Sequence, residues 1–523
     1  MTGDEEQQNI VAFLLLPEAY GLAADEKVGH IETHASHVFL AGDRAWKLKK
    51  RVKFTFLDFS TLERRKAACE SEIELNRRTA PEIYLRVVPV RREGGCFRLG
   101  GDEGEIADWL VEMRRFGNDG LLATKADRGE LSMGMVEELA RGIADFHRKA
   151  EVRRDFGGAE NFLKIVEGSV EDMKPVLGTV LDAKRAARVT ASSRALIETH
   201  HALLDRRRAE GLVRHCHGDL HLGNVTEIGG HPVIFDCIEF SDHIARIDML
   251  YDLAFLLMDI AFRAESDRRL EGFASRALNV YLDHLTQDEI GRALDGLALL
   301  PLFAATRAVV RAKVTAVQAK DEGARQLANA YLEFAERLLE PASPRLVAIG
   351  GLSGTGKSTV AKGIAARIGA PLGALHLRSD IIRKRIFGVA PLDRLPNDAY
   401  APGAGARVYG EMLRLAGAAL AAGASVVLDA VFAREEERAM IGRLAAERRL
   451  PFAGLWLEAP ADVLEARVAA RERRGDDPSD AGVDVLRRQL SYNLGAMDWT
   501  CVDAADTPDE VLKAALAPLT AFL

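Results

Sequence analysis

Alternating apolar and polar positions near the start of the chain predict strands, and helical spacing follows them. HVFLAG (37–42) and AWKLKK (45–50) have the composition of two strands joined by a tight turn that contains glycine and aspartate. Residues 60–80 then repeat apolar positions at helical spacing, with Ser60 and Glu63 placed to form an N-terminal capping box. This pattern predicts a small β-rich region that includes one long helix.

Helical spacing dominates the middle of the chain, and a different pattern begins after a short linker. EPASP (340–344) has the composition of such a linker. From RLVAIGG (345–351) onward, strand-like and helix-like segments alternate, which implies a parallel sheet covered by helices on both faces. The expected domains are residues 1–340, with a β-rich lobe at about 1–115 and a helical lobe at about 116–340, and residues 345–523.

Composition and charge narrow the class of protein. A chain of 523 residues is too long for one core. The formal net charge of -8 argues against nucleic acid as a partner. The five cysteines are scattered and never spaced C-x-x-C, which is typical of a reducing compartment. The apolar run 10–16 is too short to span a membrane, so we expect a cytoplasmic protein without a membrane partner.

The strongest motif lies at the start of the second expected domain. GLSGTGKS (351–358) matches the P-loop pattern G-x-x-x-x-G-K-[ST] between a strand-like and a helix-like segment. Its backbone N–H groups would surround the β-phosphate, Lys357 would reach the β- and γ-phosphates, and Ser358 would ligate magnesium. The candidate nucleotide-binding residues here are Gly351, Gly354, Gly356, Lys357, Ser358 and Thr359.

Residues downstream of the P-loop fit the same chemistry. Asp429 ends the apolar run SVVLDA, where a Walker B carboxylate meets the magnesium shell. Arg467, Arg471 and Arg474 share one helical face, and they are placed either to close over the phosphates or to form a solvated charged face.

The C-terminal part resembles the small P-loop kinases, among them gluconate kinase, shikimate kinase, polynucleotide kinase and zeta toxin. The resemblance implies that Asp380, in LRSDIIRKR (377–385), is the base for the substrate hydroxyl and that Arg383 contacts substrate. Asp380 and Arg383 are one helical turn apart and can therefore face one pocket.

A second motif, HCHGDLHLGNV (215–225), has two interpretations. Its histidines, cysteine and aspartate are zinc-ligand types, but Leu220 breaks the H-x-H-x-D-H spacing of a known zinc pattern. Asp219 and Asn224 instead have the spacing of a kinase catalytic loop, in which the aspartate takes a hydroxyl proton and the asparagine holds magnesium. The kinase interpretation needs further residues elsewhere in the chain.

Those further residues are present in the expected order. Lys47 is the candidate for the nucleotide lysine, with Lys49 as its competitor on the same face, and Glu72 lies on the following helix to orient the lysine. Asp236 follows an apolar run twelve residues after Asn224, where a second magnesium ligand belongs. We therefore favour the kinase loop and expect no zinc.

HGDLHLGN (217–224) resembles the loop of the aminoglycoside phosphotransferase and choline kinase group. YDLAFLL (251–257) resembles the helix that follows in that group, which implies that Asp252 braces the loop. VIFDCIEF lacks the glycine of the protein-kinase DFG motif, and ETHASHVFLAG stands where a glycine-rich phosphate cover would lie. The whole chain resembles the bifunctional aminoglycoside phosphotransferase/ATP-binding protein family.

That resemblance implies the fold class and the function. We expect an α+β protein-kinase-like (aminoglycoside phosphotransferase-like) N-terminal domain and an α/β P-loop NTPase C-terminal domain. The expected activity is ATP-dependent phosphorylation of a small-molecule hydroxyl group at each of two separate Mg-ATP sites. The magnesium ligands would be Asn224 and Asp236 at the first site, and Ser358 and Asp429 at the second. In the alternative hypothesis, one kinase domain is regulated by a nucleotide-binding P-loop domain.

Overall fold

The computed structural model describes residues 3–54, 57–341, 343–369, 371–401, 403–474 and 477–522. Contacts divide the chain into two compact units. Unit 1 comprises Met1–Met135, Phe146–Gly157 and Arg208–Asp252, and unit 2 comprises Val136–Asp145, Gly158–Arg207 and Leu253–Leu523. This division follows contacts and not chain order, so the expected boundary between residues 340 and 345 stays a prediction.

Unit 1 is built on an antiparallel sheet. Its strands β1 to β8 are Gly29–Glu32, Ser36–Ala41, Arg44–Lys49, Lys53–Phe54, Leu57–Asp58, Tyr84–Glu93, Cys96–Leu99 and Glu105–Arg114, and its first helices are α1 (Gly3–Leu14) and α2 (Leu62–Asn76). Six strands pair in the order β1-β2-β3-β8-β6-β7, and β4 pairs with β5. The strands expected near residues 37–42 and 45–50 are confirmed as β2 and β3.

The pleat of β3 separates two cores and fixes where its lysines point. Trp46 and Leu48 lie in the core that contains Ile10 and Leu14 of α1. Ala45 lies in another core, which contains Ile73 of α2. Successive side chains in a strand point to opposite faces, so Lys47 and Lys49 share the α2 face with Ala45.

Helix α2 begins one residue later than the expected capping box requires. Thr61 is its N-cap, and the Thr61 side chain accepts the N–H of Arg64. Ser60 donates both its N–H and its hydroxyl to Oδ1 of Asp58, at 3.1 and 2.5 Å. The predicted Ser60 cap is therefore wrong, because Asp58 engages this residue and Thr61 takes the cap position.

The central part of the chain carries short strands and the remaining helices of the first two-thirds. They are α3 (Leu122–Arg128), α4 (Met133–Lys149), α5 (Gly158–Met173), α6 (Ala183–Thr199), α7 (His201–Ala209), β9 (Val213–His215), β10 (Val225–Ile228), β11 (His231–Ile234), α8 (Asp242–Ala245), β12 (Arg246–Asp248), α9 (Met249–Ala264), α10 (Phe273–Asp283), α11 (Gln287–Leu294), α12 (Leu300–Gln318) and α13 (Glu322–Leu338). The HGD-containing loop connects β9 with the β10–β11 hairpin, and Asp236 follows β11.

One part of the described chain has the length and hydropathy of a membrane span. It is Gln287–Gln318, and 78% of its most apolar window is buried inside the protein. The same composition is found in core helices of globular proteins, and burial to this extent is what such a core helix shows.

The C-terminal part of unit 2 is a parallel sheet covered by helices. Its elements are β13 (Leu346–Gly351), α14 (Lys357–Ala365), β14 (Leu375–Arg378), α15 (Ser379–Ile386), α16 (Ala404–Ala421), β15 (Val426–Asp429), α17 (Glu435–Glu447), β16 (Phe452–Glu458), α18 (Ala461–Arg474), α19 (Val483–Leu490), β17 (Thr500–Asp503) and α20 (Pro508–Leu516). The strand order is β14-β15-β13-β16-β17. The expected parallel sheet is confirmed, and a crevice at the carboxyl ends of such strands is where ligands bind.

Replacing Thr61 with alanine should destabilise the protein more than replacing Ser60. Loss of an N-cap side chain costs about 1 kcal/mol of the free energy of unfolding. Chemical denaturation of Thr61→Ala and of the matched control Ser60→Ala measures the two costs. A larger loss for Ser60→Ala would assign the cap to that residue instead.

Candidate functional site

The first candidate site, in unit 1, centres on a buried network of lysines and carboxylates. Lys47 on β3 places its Nζ 2.8 Å from Oε1 of Glu72 on α2 and 2.7 Å from Oδ1 of Asp236. Lys49 is in ion-pair contact with the other oxygen of Glu72 and with Glu239. Each oxygen of the buried Glu72 carboxylate therefore faces its own lysine.

Exposure distinguishes the two lysines, which the sequence does not separate. The side chain of Lys47 is 14% exposed and that of Lys49 is 2% exposed. Asp236, the partner of Lys47, is 43% exposed. Lys47 thus connects Glu72 to the accessible aspartate, while Lys49 connects Glu72 to the buried Glu239.

Glu239 was not among the residues predicted from sequence. It follows Asp236 by three positions within the apolar string CIEF, and an acidic residue in such a string is a weak signal of a buried partner. The structure shows that Lys49 is that partner.

Electrostatics keep this network charged. Burial opposes ionisation of Glu72, but Lys47 and Lys49 outweigh it and lower the pKa of this carboxyl. Burial likewise disfavours the charged form of Lys47, but Asp236 and Glu72 raise its pKa well above the usual value. Burial raises the pKa of Glu239 even though Lys49 lies against it. The ion pairs therefore hold Lys47 and Glu72 in their charged forms.

Asp236 is held in an uncommon backbone conformation. Its φ of 62° lies in the left-handed region, which aspartate tolerates better than most residues. The hydroxyl of Tyr84 accepts the N–H of Asp236 at 3.0 Å, and Oδ1 of Asn76 accepts the N–H of Cys237 at 2.7 Å. These two bonds fix the turn that presents the Asp236 carboxylate to Lys47.

The HGD-containing loop places Asp219 beside Asn224. Nδ2 of Asn224 donates to the backbone carbonyl of Asp219 and to its Oδ2, both at 2.9 Å. His221 approaches the same carboxylate oxygen, with its Nε2 3.5 Å from Oδ2 of Asp219. The amide nitrogen of Asn224 faces Asp219, so its amide oxygen is the atom that is left to bind a cation.

Asp252 holds the backbone of this loop by hydrogen bonds, as the resemblance implies. Its two carboxylate oxygens accept the N–H groups of His217 and Gly218, at 3.0 and 2.8 Å. The His217 ring in turn donates through Nε2 to the carbonyl of Phe235 at 2.9 Å. The loop and the segment that carries Asp236 are thereby tied together.

Three residues of the types that bind zinc lie close together in unit 1, but only one of them belongs to the motif 215–225. His147, Cys216 and Asp252 are buried, and their ligand atoms lie within 4.8 Å of one another. The carboxylate of Asp252 is already committed to two backbone N–H groups, and Oδ2 also lies 3.1 Å from Nε2 of His147. Asp252 is thus engaged by the loop and by His147, the Cys216 thiol contacts the carbonyl of Ile247, and the absence of zinc stays a prediction.

The second candidate site, in unit 2, is the P-loop. Gly351, Gly354 and Gly356 have φ values of 143°, 88° and 83°. A Cβ on Gly351 would lie 2.6 Å from the carbonyl of Leu457, so a side chain is excluded there. Lys357 Nζ donates to the carbonyl of Leu352 at 2.8 Å across the turn. The loop therefore has the curled backbone that a phosphate requires.

Asp429 lies against the P-loop, and one of its oxygens makes two hydrogen bonds and one ion pair. Oδ2 accepts the Ser358 hydroxyl at 2.6 Å and lies 3.3 Å from Nε2 of His376 and 3.5 Å from Nε of Arg378. Burial raises the pKa of Asp429, but His376, Arg378 and Lys357 outweigh it, and the net direction is downward. The carboxylate is therefore ionised, with Oδ1 left for other partners.

Both donor sets fit magnesium. Asn224 and Asp236 offer an amide and a carboxylate oxygen, and Ser358 and Asp429 offer a hydroxyl and a carboxylate oxygen. Hard oxygen ligands of this kind, few in number and completed by substrate phosphates, are what Mg²⁺ takes in nucleotide sites.

Asp380 and Arg383 line the same cleft, as their spacing predicts. The cleft has a volume of about 1760 Å³, and residues 353–359 line it too. Burial raises the pKa of the Asp380 carboxyl despite the neighbouring Arg378. Arg383 donates to the carbonyl of Ala399 at 2.8 Å and stacks 5.2 Å from the ring centre of Tyr400.

The three arginines of α18 also line the cleft, where Arg474 is exposed and Arg467 and Arg471 are partly buried. Arg467 donates to the carbonyls of Ala504, Ala505 and Asp506. Arg471 donates to the carbonyl of Ala481 at 2.5 Å. Arg467 therefore braces the segment around residue 505, and Arg471 is the member of this set whose charge acts on Lys357.

Fold and sites together define a phosphotransferase with two kinase-like domains. The model of the phosphotransferase enzyme family matches residues 57–287, and the model of an AAA domain matches residues 346–493. These matches confirm the protein-kinase-like N-terminal domain and the P-loop C-terminal domain that the motifs predicted.

Full-length relatives show the family. The uncharacterized proteins Rv2004c of Mycobacterium tuberculosis and Mb2027c of Mycobacterium bovis are each 30% identical over 478 residues, which cover 89% of this chain and 90% of the relative. The chain belongs to the same family as these relatives, and its two matched domains are those expected of the bifunctional aminoglycoside phosphotransferase/ATP-binding proteins. An adenylyl-sulfate kinase of Myxococcus xanthus is 32% identical over 162 residues, or 30% of this chain and 76% of that protein.

Some solved structures are similar to part of this chain. A choline/ethanolamine kinase family protein from Mesorhizobium loti is 13% identical, covers 64% of this chain and 95% of its own, and gives a TM-score of 0.38. The APS kinase of Mycobacterium tuberculosis, solved with AMPPNP and APS, is 21% identical, covers 34% of this chain and 98% of its own, and gives a TM-score of 0.26.

Replacement of Lys47 should impair nucleotide binding at the first site, whereas replacement of Lys49 should impair stability. Loss of a charged hydrogen bond is worth about 1.5–3 kcal/mol, so Lys47→Met should weaken Mg-nucleotide affinity by about 10-fold or more. Lys49→Met leaves Glu239 buried without its lysine, and such a change costs about 3–5 kcal/mol of unfolding free energy. Titration calorimetry and denaturation, both in a Lys357→Ala background, measure the two effects.

The matched control for that pair is Glu239→Gln in the Lys49→Met protein. Removing the unpaired charge should recover part of the lost stability without changing nucleotide affinity. If Lys49→Met abolishes binding and Lys47→Met does not, Lys49 is the nucleotide lysine.

Proposed function

We propose that the protein is a bifunctional ATP-dependent kinase that phosphorylates small-molecule hydroxyl groups at two separate Mg-ATP sites. The observation that supports this proposal is that two sets of candidate phosphate, metal and base residues, of unrelated design, lie in different parts of the chain. The first set surrounds Lys47 and Asp236 in unit 1. The second surrounds Lys357 and Asp429 in unit 2.

At the first site, each residue has a defined task. Lys47 binds the α- and β-phosphates, and Glu72 keeps the lysine charged and oriented. Asn224 and Asp236 would hold magnesium, which neutralises the charge that develops on the transferred phosphoryl group. Asp219 accepts the proton of the acceptor hydroxyl while that oxygen bonds to the γ-phosphorus and the bond from the γ-phosphorus to ADP breaks.

The second site uses different residues for the same transfer. The P-loop backbone and Lys357 bind the β- and γ-phosphates, while Ser358 and Asp429 would hold magnesium. Asp380 takes the acceptor proton, a task for which its raised pKa suits it. Arg383, beside Tyr400 in the same cleft, contacts the acceptor. The relative from Myxococcus xanthus, named as an adenylyl-sulfate kinase, supports a small acceptor here.

The proposal also includes the cellular compartment and the class of substrate. Five free cysteines, three of them buried, suit a reducing compartment, and we place the protein in the cytoplasm. The net charge of -8 supports a small-molecule substrate and not nucleic acid.

Calorimetric titration with a non-hydrolysable ATP analogue and magnesium should find two sites per chain. Lys357→Ala should reduce this number to one, because the lysine binds the phosphates directly. Lys513→Ala, which removes an exposed lysine of the same unit, is the matched control and should leave two sites. A wild-type stoichiometry of one would contradict the proposal.

Removing either base should stop transfer without stopping nucleotide binding. General-base catalysis contributes about 10²–10⁴-fold to the rate. Asp219→Asn and Asp380→Asn should therefore each slow the formation of one of the two products by that factor. The assay supplies labelled ATP and hydroxylated metabolites to the full chain and identifies products by mass spectrometry.

The alternative, one kinase regulated by the P-loop domain, predicts a different outcome. In that case Asp380→Asn would remove no product and would change only the rate of the first site. Transfer that persists in Asp219→Asn would take this residue out of the mechanism.

A further inference from the structure

Strand β14 lies at one edge of the parallel sheet, and a side chain from helix α10 completes that edge. Oδ1 of Asn279 accepts the N–H of His376 at 2.6 Å, and Nδ2 of Asn279 donates to the carbonyl of Ala374 at 3.0 Å. An edge strand otherwise leaves such groups unpaired, at a cost when they are buried. The Asn279 amide therefore takes the place of a neighbouring strand.

The same strand residue touches the candidate metal carboxylate. The backbone N–H of His376 donates to Asn279, and the ring nitrogen Nε2 of His376 lies 3.3 Å from Oδ2 of Asp429. Asp429 also accepts the Ser358 hydroxyl. Asn279, His376 and Asp429 are all buried, so a continuous hydrogen-bonded chain runs from α10 to the P-loop serine.

Close packing shows that this contact is built into the fold. A Cβ on Gly373 would lie 2.5 Å from the Cβ of Ser275, so glycine is required where α10 meets the segment before β14. A Cβ on Gly272 would lie 2.9 Å from the Cβ of Ala366. At the other end of α10, Arg385 donates to the carbonyls of Leu282 and Leu285, both at 3.0 Å. The helix is thus fixed at both ends and in the middle.

Asn279 lies inside the region matched by the phosphotransferase family model, whereas His376 and Asp429 lie inside the region matched by the AAA-domain model. We propose that Asn279 is a positioning residue for the P-loop site, which acts through His376 to orient the Asp429 carboxylate for magnesium. This inference rests on the proposed second Mg-ATP site and adds to it a residue from the other matched region.

Orientation matters because Asp429 has two oxygens with different surroundings. Two hydrogen bonds, from Ser358 and His376, and the ion pair with Arg378 keep Oδ2 turned toward these groups, which leaves Oδ1 for the metal shell. If His376 shifts, Oδ2 loses one donor and the carboxylate can rotate. The expected loss is in metal-dependent affinity and not in the contacts that the P-loop backbone makes with phosphate.

The test compares Asn279→Leu with wild type in the full chain, with Lys47→Met in both proteins to weaken the first site by about 10-fold or more. Calorimetry measures the affinity of a non-hydrolysable ATP analogue with magnesium and with EDTA. Residues that couple two sites through intermediates change affinity by about 2- to 30-fold, so the ratio of the two affinities should fall by that factor in Asn279→Leu. Affinity in EDTA should stay within about 2-fold.

Arg276→Leu is the matched control, because Arg276 lies about one turn away on α10 and donates to Glu137, not to β14. It should leave the ratio unchanged. If Asn279→Leu folds and keeps the wild-type ratio, the inference is wrong. If the Lys47→Met protein binds no nucleotide at all, the proposed second site fails instead.

If Asn279→Leu does not fold, two variants of His376 decide the matter. His376→Leu removes the side-chain donor to Asp429, and His376→Gln supplies another. A ratio that is lost in the leucine variant and recovered in the glutamine variant supports the positioning role, whereas equal ratios in both overturn it.

Discussion

A buried carboxylate needs cations or hydrogen-bond donors, and this requirement organises both candidate sites. Glu72 is fully buried and lies between Lys47 and Lys49. Asp429 is buried, and one of its oxygens contacts the Ser358 hydroxyl, the His376 ring and the Arg378 guanidinium. A charge placed in a low-dielectric interior without such partners would cost several kcal/mol, about 3–5 where one partner of a pair is removed. The strands and helices that supply these partners are therefore fixed relative to the carboxylates.

The two sites use this constraint in different ways. In unit 1 the buried carboxylate holds a lysine, and the more exposed Asp236 is the one presented to ligand. In unit 2 the buried carboxylate itself is the candidate metal ligand, and a histidine and an arginine hold it. The buried carboxylates therefore have their partners before any ligand binds. Preorganised groups of this kind need little rearrangement when phosphate binds.

Local motifs made much of each site predictable. The P-loop, the spacing of Asp219 and Asn224, and the aspartate after β11 are short-range patterns, and geometry over a few residues follows from spacing. The strands β2 and β3 and the parallel sheet followed from periodicity in the same way. The start of α2 did not, because the competing bond from Ser60 to Asp58 outweighs a capping pattern that the letters alone favour.

Other residues lay outside such reasoning because their partners are far along the chain. Glu239 meets Lys49 from 190 positions away, and Asn279 meets His376 from 97 positions away. No local pattern marks either residue as a partner. The resemblance of YDLAFLL to a helix of a known family did predict the role of Asp252, because a family resemblance implies contacts between distant residues, whereas a periodic pattern does not.

At the linker-like segment 340–344, the domain boundary that the sequence favours differs from the grouping of residues by their contacts. Composition there favours a boundary, yet the contacts of α10 with β14 and α15 lie within one compact unit. A cut at this linker would expose the carbonyl of Ala374, the N–H of His376 and the guanidinium of Arg385, each of which is paired across it. Water can satisfy those groups, but it cannot hold His376 against Asp429. Helix α10, which precedes the linker, therefore contacts the sheet that carries the P-loop, whatever reaction the first site performs.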